Sequence, residues 1–166
     1  MKVLAGLGCD LVNLHAAGGS EMMAAAIDGL DAGTPLGVKR PDCIAVTQLT
    51  SNSEAQVSSE QLIRVSLQES VLNYAELAKR SGLDGVVCSP QEARSIHERM
   101  GTEFLTVTPG IRPAQSGLQD QKRTATPEFA RQQGISAIVV GRPITRAADP
   151  LESYLKIKNE WKGAGI

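Results

Sequence analysis

The chain has 166 residues, a formal net charge of −1, 42% hydrophobic and 21% charged residues, and few aromatics. That length predicts one domain, residues 1–166, able to bury about two thirds of its unfolded surface. The charge balance excludes a nucleic-acid footprint, the longest apolar runs are too short to cross a bilayer, and Met1-Lys2-Val3 opens no secretory leader, so a cytoplasmic protein with no nucleic-acid or membrane partner is expected.

Residues 1–8 read as the last turns of a helix, with Val3, Leu4 and Leu7 apolar. From there one unit recurs: a short β-branched or apolar run, a turn rich in Gly, Ser, Pro or Thr, then a helical stretch. The first run is Leu11 to His15, turned by Ala16-Ala17-Gly18-Gly19, with Ser20 capping a helix from Glu21 to about Leu30. Gly18-Gly19-Ser20 could form an anion nest, but a strand-to-helix turn is the simpler reading. The second run is 43–47 (CIAVT), and a helix over about 59–81 is predicted from Ile63, Leu67, Val71, Tyr74 and Ala78 on one face. Gly82 ends it as a C′ glycine.

The third run, 86–88 (VVC), leads through Ser89-Pro90-Gln91-Glu92 into a helix that stops near Met100. Runs four and five are 104–107 and 137–140, separated by the loop 113–123 and a helix over 127–133. A last helix over 150–162 carries Tyr154, Ile157 and Trp161 on one face. Mostly continuous apolar runs suggest strands covered by helices on both faces, and strand–helix alternation predicts a parallel α/β sheet of about five strands. Cys9, Cys43 and Cys88 are odd in number and widely spaced, so they read as small buried strand residues rather than disulfides or metal ligands. With only two histidines, no metal site is expected.

The chemistry concentrates where runs four and five end. Thr108-Pro109-Gly110-Ile111-Arg112 follows one, and Gly141-Arg142-Pro143 follows the other. A glycine past a strand allows a sharp turn and a close backbone approach, while arginine offers a planar charged fork suited to phosphate. Pro143 suits the first position of a helix whose positive end would face the same anion. Singly, these are ordinary turn glycines and solvent-facing arginines. As a pair in adjacent β-α units they are what a phosphate site at the strand ends of a parallel barrel requires. His15 reads as buried and hydrogen-bonded in preference to chemical, and His97, among Glu92, Arg94, Glu98 and Arg99, as a solvated-face residue.

The segments DLVNLHAAGG, IAVTQLTS, GLDGVVCSPQEA, FLTVTPGIR, DQKRTATP and AIVVGRPIT resemble bacterial orotidine 5′-phosphate decarboxylase, in family order and spacing across essentially all 166 residues. The resemblance implies a (β/α)8 TIM barrel that dimerises with its active sites at the interface, of which this chain matches strands four to eight. The first three strands, with the family's Asp-Lys-Asp array in a DxKxHD-type motif and its ribose-binding aspartate and lysine, are not matched. No catalytic residue is therefore assigned, and an N-terminally truncated partial barrel, inactive alone, is expected. By motif, Arg112, Gly141 and Arg142 would hold the substrate phosphate. Gln121 would bridge phosphate and base from a lid-like loop, and Thr50 would hydrogen-bond the pyrimidine. His15 would stand behind the unmatched centre.

The resemblance implies no cofactor and no metal: the ring carbanion left on decarboxylation has no adjacent electron sink, so electrostatic preorganisation must lower the barrier. Orotidine 5′-phosphate or UMP is the implied ligand, and a homodimer, or self-association through an exposed sheet edge, the implied assembly. Two other readings stay open: a catalytically inactive fragment that binds a nucleotide phosphate, and another phosphate-gripping barrel enzyme such as a pentose-phosphate epimerase, which a single strand-end histidine disfavours.

Overall fold

The computed structural model describes residues 1–113 and 124–163. After a short helix α1 (Lys2–Ala5), the elements run β1 (Leu11–His15), α2 (Gly19–Gly33), β2 (Asp42–Val46), α3 (Glu54–Ser59), α4 (Leu67–Arg80), β3 (Gly85–Val87), α5 (Ala93–Met100), β4 (Leu105–Thr108), α6 (Pro127–Gln132), β5 (Ala137–Ile138), α7 (Arg142–Thr145) and α8 (Pro150–Lys162). The strands form one parallel sheet in the order β1-β2-β3-β4-β5. Each strand pairs with the next in sequence, so the chain winds in a single direction. A doubly wound sheet would reverse its order at a switch point, whereas unreversed winding is that of a barrel. The fold is α/β, a partial barrel.

Among the described residues, helices cover one face of this sheet, not both. Val12 and Leu14 of β1, Cys43 and Ala45 of β2, and Val86 of β3 share a core with Met23, Leu30, Val71 and Ile96 from the helices. The in-register residues pointing the other way are Leu11, Asn13 and His15, all exposed, then Val46 and Val87, half-buried. Ile44 and Val107 on that side are buried. The apolar runs misled because small β-branched residues suit a barrel interior as well as a helix-covered face, and periodicity over a few residues does not separate the two.

Of the helix predicted over 59–81, residues 67–80 form α4, whereas Ser59 ends α3 and residues 60–66 connect the two. Ser53 and Ser66 each close a capping box: the hydroxyl accepts from the backbone N–H three residues on, and the side chain of that residue, Gln56 or Glu69, accepts from the serine N–H. Each box starts a helix, so Ile63 falls in the connection. Helix α2 begins at Gly19, with Ser20 inside it and no side-chain cap.

Two further expectations are corrected. Cys9 is half-buried and outside any strand, its thiol 3.3 Å from the Leu4 carbonyl oxygen. His97 is half-buried rather than solvated, with Nε2 3.2 Å from Thr106 Oγ1. It stands four residues after buried Ala93 and three before buried Met100, so it shares their face. Thr106 also trades hydrogen bonds with Ser136: its N–H donates to Ser136 Oγ (3.1 Å), and the Ser136 N–H donates back to Thr106 Oγ1 (3.3 Å).

Candidate phosphate and base site at the strand exits

Because the strands are parallel, all their carboxyl ends gather on one side of the sheet, where barrel enzymes carry their sites. Strand β4 leaves through Pro109 and Gly110, whose φ of +80° lies in the left-handed region that favours glycine. The turn is pinned from across: the Arg112 N–H donates to the Ala125 carbonyl (2.9 Å), and the Ala125 N–H to that of Gly110 (3.4 Å). This holds Arg112 inward. It is only 8% exposed, with Nη1 donating to the Ile111 carbonyl at 3.0 Å. Arginine is seldom so buried, because its charge must be met by polar partners or a bound anion.

Strand β5 is shorter than the predicted run; Val139 and Val140 lie beyond it, with the Val139 N–H donating to the Thr108 carbonyl at 2.9 Å. Gly141 caps α7 with φ −97°, so left-handed backbone is not why glycine stands there, and no atom lies within 4 Å of where a Cβ would be. Arg142, half-buried, takes the first helical position and Pro143 the second, one later than predicted. The Ser153 hydroxyl donates to the Pro143 carbonyl (2.8 Å), tying this turn to α8.

The two exits are related by register. Thr108 pairs with Ile138, and each arginine stands four residues beyond its member of that pair. Pro113 and Pro143, the residues following the arginines, line one cavity of about 320 Å³ with Ser153 and Lys156.

Strand β2 leaves through a different device. The Thr47 hydroxyl and N–H both donate to the Val87 carbonyl, at 2.9 and 3.2 Å. Residues 49–52 then form a turn closed by the Asn52 N–H on the Leu49 carbonyl (2.9 Å), with Thr50 buried inside it. Gln48, also buried, hydrogen-bonds Asn52, Gln61 and Ser70. Sequence reasoning missed Gln48, because its partners lie up to 22 residues away and no local motif announces them.

His15 is exposed at the end of β1, not buried and hydrogen-bonded as expected. The alternating burial of β1 puts its last residue on the face that no helix covers. Gln121 and most of the loop 113–123 lie outside the described residues. At β3, the Ser89 N–H donates to the buried Glu92 carboxylate (2.7 Å), and the Gln91 amide donates to the Thr124 carbonyl (3.1 Å). These contacts brace the exit next to β4.

The opposite end of the sheet carries charge for stability. Asp84 accepts from Arg40 and from the Cys43 N–H, and the same carboxylate holds the Arg40 guanidinium above its ordinary range. Burial, with the Asp84 charge second, pushes the Cys43 thiol up. Among the described residues no helix is long and apolar enough to cross a membrane.

Against known proteins, the family model "Orotidine 5'-phosphate decarboxylase / HUMPS family" matches residues 1–157. The orotidine 5′-phosphate decarboxylase of Bacillus pumilus is 60% identical over 162 residues, which span 98% of this chain and 69% of that protein. The crystal structure of the Lactobacillus acidophilus orotidine 5′-phosphate decarboxylase superposes with a TM-score of 0.83 at 50% identity, covering 96% of this chain and 66% of that one. The Pyrococcus horikoshii counterpart, at 21% identity and a TM-score of 0.67, shares the fold. The chain thus spans about two thirds of the length of the relatives it matches.

Proposed function

Because the chain belongs to the orotidine 5′-phosphate decarboxylase / HUMPS family, we propose that it is the phosphate- and pyrimidine-holding part of an orotidylate decarboxylase, a cytoplasmic carboxy-lyase of pyrimidine biosynthesis. Arg112 and Arg142 grip the phosphate, with the open backbone at Gly141 admitting its oxygens. Thr50 hydrogen-bonds the base, and Gln121 spans the two. His15 lies near the reaction centre without carrying the chemistry. The single observation behind this reading is the equal offset of Arg112 and Arg142 from the paired residues Thr108 and Ile138.

Two arginine forks on adjacent exits meet a dianion with charge-assisted bonds. Binding energy gathered at the phosphate, remote from the bond that breaks, can be used to order the site around the pyrimidine. The 166 residues contain no DxKxHD-type motif, so the ammonium that would face the ring carbanion is missing. The chain alone therefore binds nucleotide and does not decarboxylate it.

Titrating the chain with UMP and with uridine tests this. UMP binds and uridine, lacking the phosphate, binds at least tenfold more weakly; equal affinities would sink the phosphate assignment. Incubation with orotidine 5′-phosphate releases no CO2 above background, and turnover at an enzyme-like rate would overturn the inactive reading. The chain also self-associates, as a homodimer or through the edges of its sheet, where Leu11 on β1 and Val139 beyond β5 are exposed. Sedimentation showing a monomer at all concentrations would exclude this.

A further inference from the structure

We propose that Gln48 is a positioning residue: its buried side-chain amide sets where the turn 49–52 presents Thr50 to the pyrimidine. The inference rests on the base-binding role given to Thr50 above. Gln48 is 5% exposed and sits one residue past Thr47, which is itself fastened to the β3 carbonyl at Val87. Its Nε2 donates in two directions, to Gln61 Oε1 (2.9 Å) in the connection between α3 and α4, and to Ser70 Oγ (3.1 Å) in the first turns of α4. Its Oε1 accepts from Asn52 Nδ2 at 2.9 Å.

Asn52 is also the residue whose N–H closes the turn on Leu49. One amide thus joins the far side of the Thr50 turn to a helix and to the connection before it. Both Nε2 hydrogens and the carbonyl oxygen are engaged, which is the satisfied state a buried amide requires. A turn at a strand exit has no sheet ladder to hold it, and neither strand nor helix geometry sets the height of the Thr50 hydroxyl above the sheet. The Gln48 network contributes to it through Asn52, because a polar group this buried cannot exchange its partners for water without cost.

The connection that Gln61 supplies is itself under constraint. Leu62, the next residue, has φ +58°, the only non-glycine residue at positive φ among those described. A leucine holds that backbone only where its surroundings over-determine it. Backbone bonds flank it on both sides, from the Gln61 N–H to the Gln56 carbonyl (3.3 Å) and from the Ile63 N–H to the Val57 carbonyl (3.2 Å), and the Gln48–Gln61 bond adds a side-chain tie to the same connection.

The test uses the full chain in four forms: parent, Thr50→Val, Gln48→Leu and Gln48→Glu. Each is titrated with UMP and with ribose 5-phosphate, which has the phosphate and no base. Gln48→Leu weakens UMP about tenfold, the weight of one well-placed hydrogen bond, and leaves ribose 5-phosphate unchanged. Gln48→Glu largely restores UMP binding, since a carboxylate can accept from Asn52, from the Ser70 hydroxyl and from a reoriented Gln61 amide. The double variant Gln48→Leu/Thr50→Val binds UMP no more weakly than Thr50→Val, because both changes remove the same contact.

Hydrogen exchange at the Asn52 amide reads the turn without ligand, and Gln48→Leu accelerates it. If Thr50→Val weakens UMP while Gln48→Leu weakens neither UMP nor the Asn52 protection, the positioning role is wrong and the base role of Thr50 stands. If Thr50→Val leaves UMP binding unchanged, or the parent binds no UMP, the base role fails and the positioning role with it. A loss that affects UMP and ribose 5-phosphate equally marks Gln48 as a general structural residue and also overturns the proposal.

Discussion

Arg40 and Asp84 meet in a two-pronged ion pair, Nη1 to Oδ2 at 2.8 Å and Nη2 to Oδ1 at 3.0 Å, across 44 residues of chain. The pair bridges the entries to β2 and β3, at the end of the sheet opposite the proposed site. Conserving geometry there serves stability, since barrel chemistry sits at the other end. Arg40→Met should lower unfolding stability by about 1 kcal/mol, the scale of one partly exposed bidentate pair. UMP affinity should stay within about twofold, a factor well below the tenfold that one hydrogen bond carries. Urea midpoints and a nucleotide titration on the same sample check both parts, and a large affinity loss would show that the two ends of the sheet are coupled.

Arg142 and Arg112 should differ when removed. Arg142 is half-buried on α7, whereas Arg112 is buried and bonded to the Ile111 carbonyl. In a complete enzyme carrying this sequence, Arg142→Ala should cost several kcal/mol in kcat/KM, as expected for losing a charge-assisted phosphate contact used in the transition state, with little change in stability. Arg142→Lys should recover only part, because lysine keeps the charge and loses the fork. Arg112→Ala should lower both phosphate binding and the thermal midpoint. Unchanged kcat/KM in Arg142→Ala would remove the basis for the phosphate site.

The cap of α4 should make stability fall in acid. The Ser66 hydroxyl and N–H both bond the Glu69 carboxylate and hold its pKa below the ordinary 4.5. A depressed folded value means that this contribution is fully present above the unfolded pKa and is lost as pH falls through the folded one. The Glu69→Gln variant keeps the acceptor without the titration, so its urea midpoint should be flatter with pH below about 4.5 than that of the parent. Identical acid limbs would show that the box does not contribute.

The three thiols should separate kinetically. Cys43 and Cys88 are fully buried, and burial raises the Cys43 thiol further, whereas Cys9 is half-buried near the start of the chain. A disulfide exchange reagent should modify Cys9 promptly and the other two only after denaturation, because both access and thiolate fraction limit the rate. Prompt reaction of all three would mean that the core opens readily.

Much of this architecture is written locally. The order of strands and helices, their parallel sense and the Gly-Arg exits follow from short apolar runs, turn residues and crossover-length connections read along the chain. The capping boxes Ser53-Glu54-Ala55-Gln56 and Ser66-Leu67-Gln68-Glu69 were equally legible, and giving them weight over the apolar spacing of Ile63 and Leu67 would have placed the starts of α3 and α4 correctly. The segments that mark the family are contiguous too, which is why family membership could be read from residues alone.

Tertiary structure decided the rest, through contacts whose partners stand far apart in the chain. Pairing of β4 with β5 brings the two arginine exits into register, and Ala125 draws Arg112 inward. His97 finds Thr106, and Gln48 finds Ser70, only once helices have packed on the sheet. Which sheet face those helices cover is likewise absent from runs of Val, Ile and Ala, since either side of a barrel strand accepts the same residues. Local preference is encoded residue by residue, whereas the burial of a polar group depends on which distant atoms arrive to satisfy it.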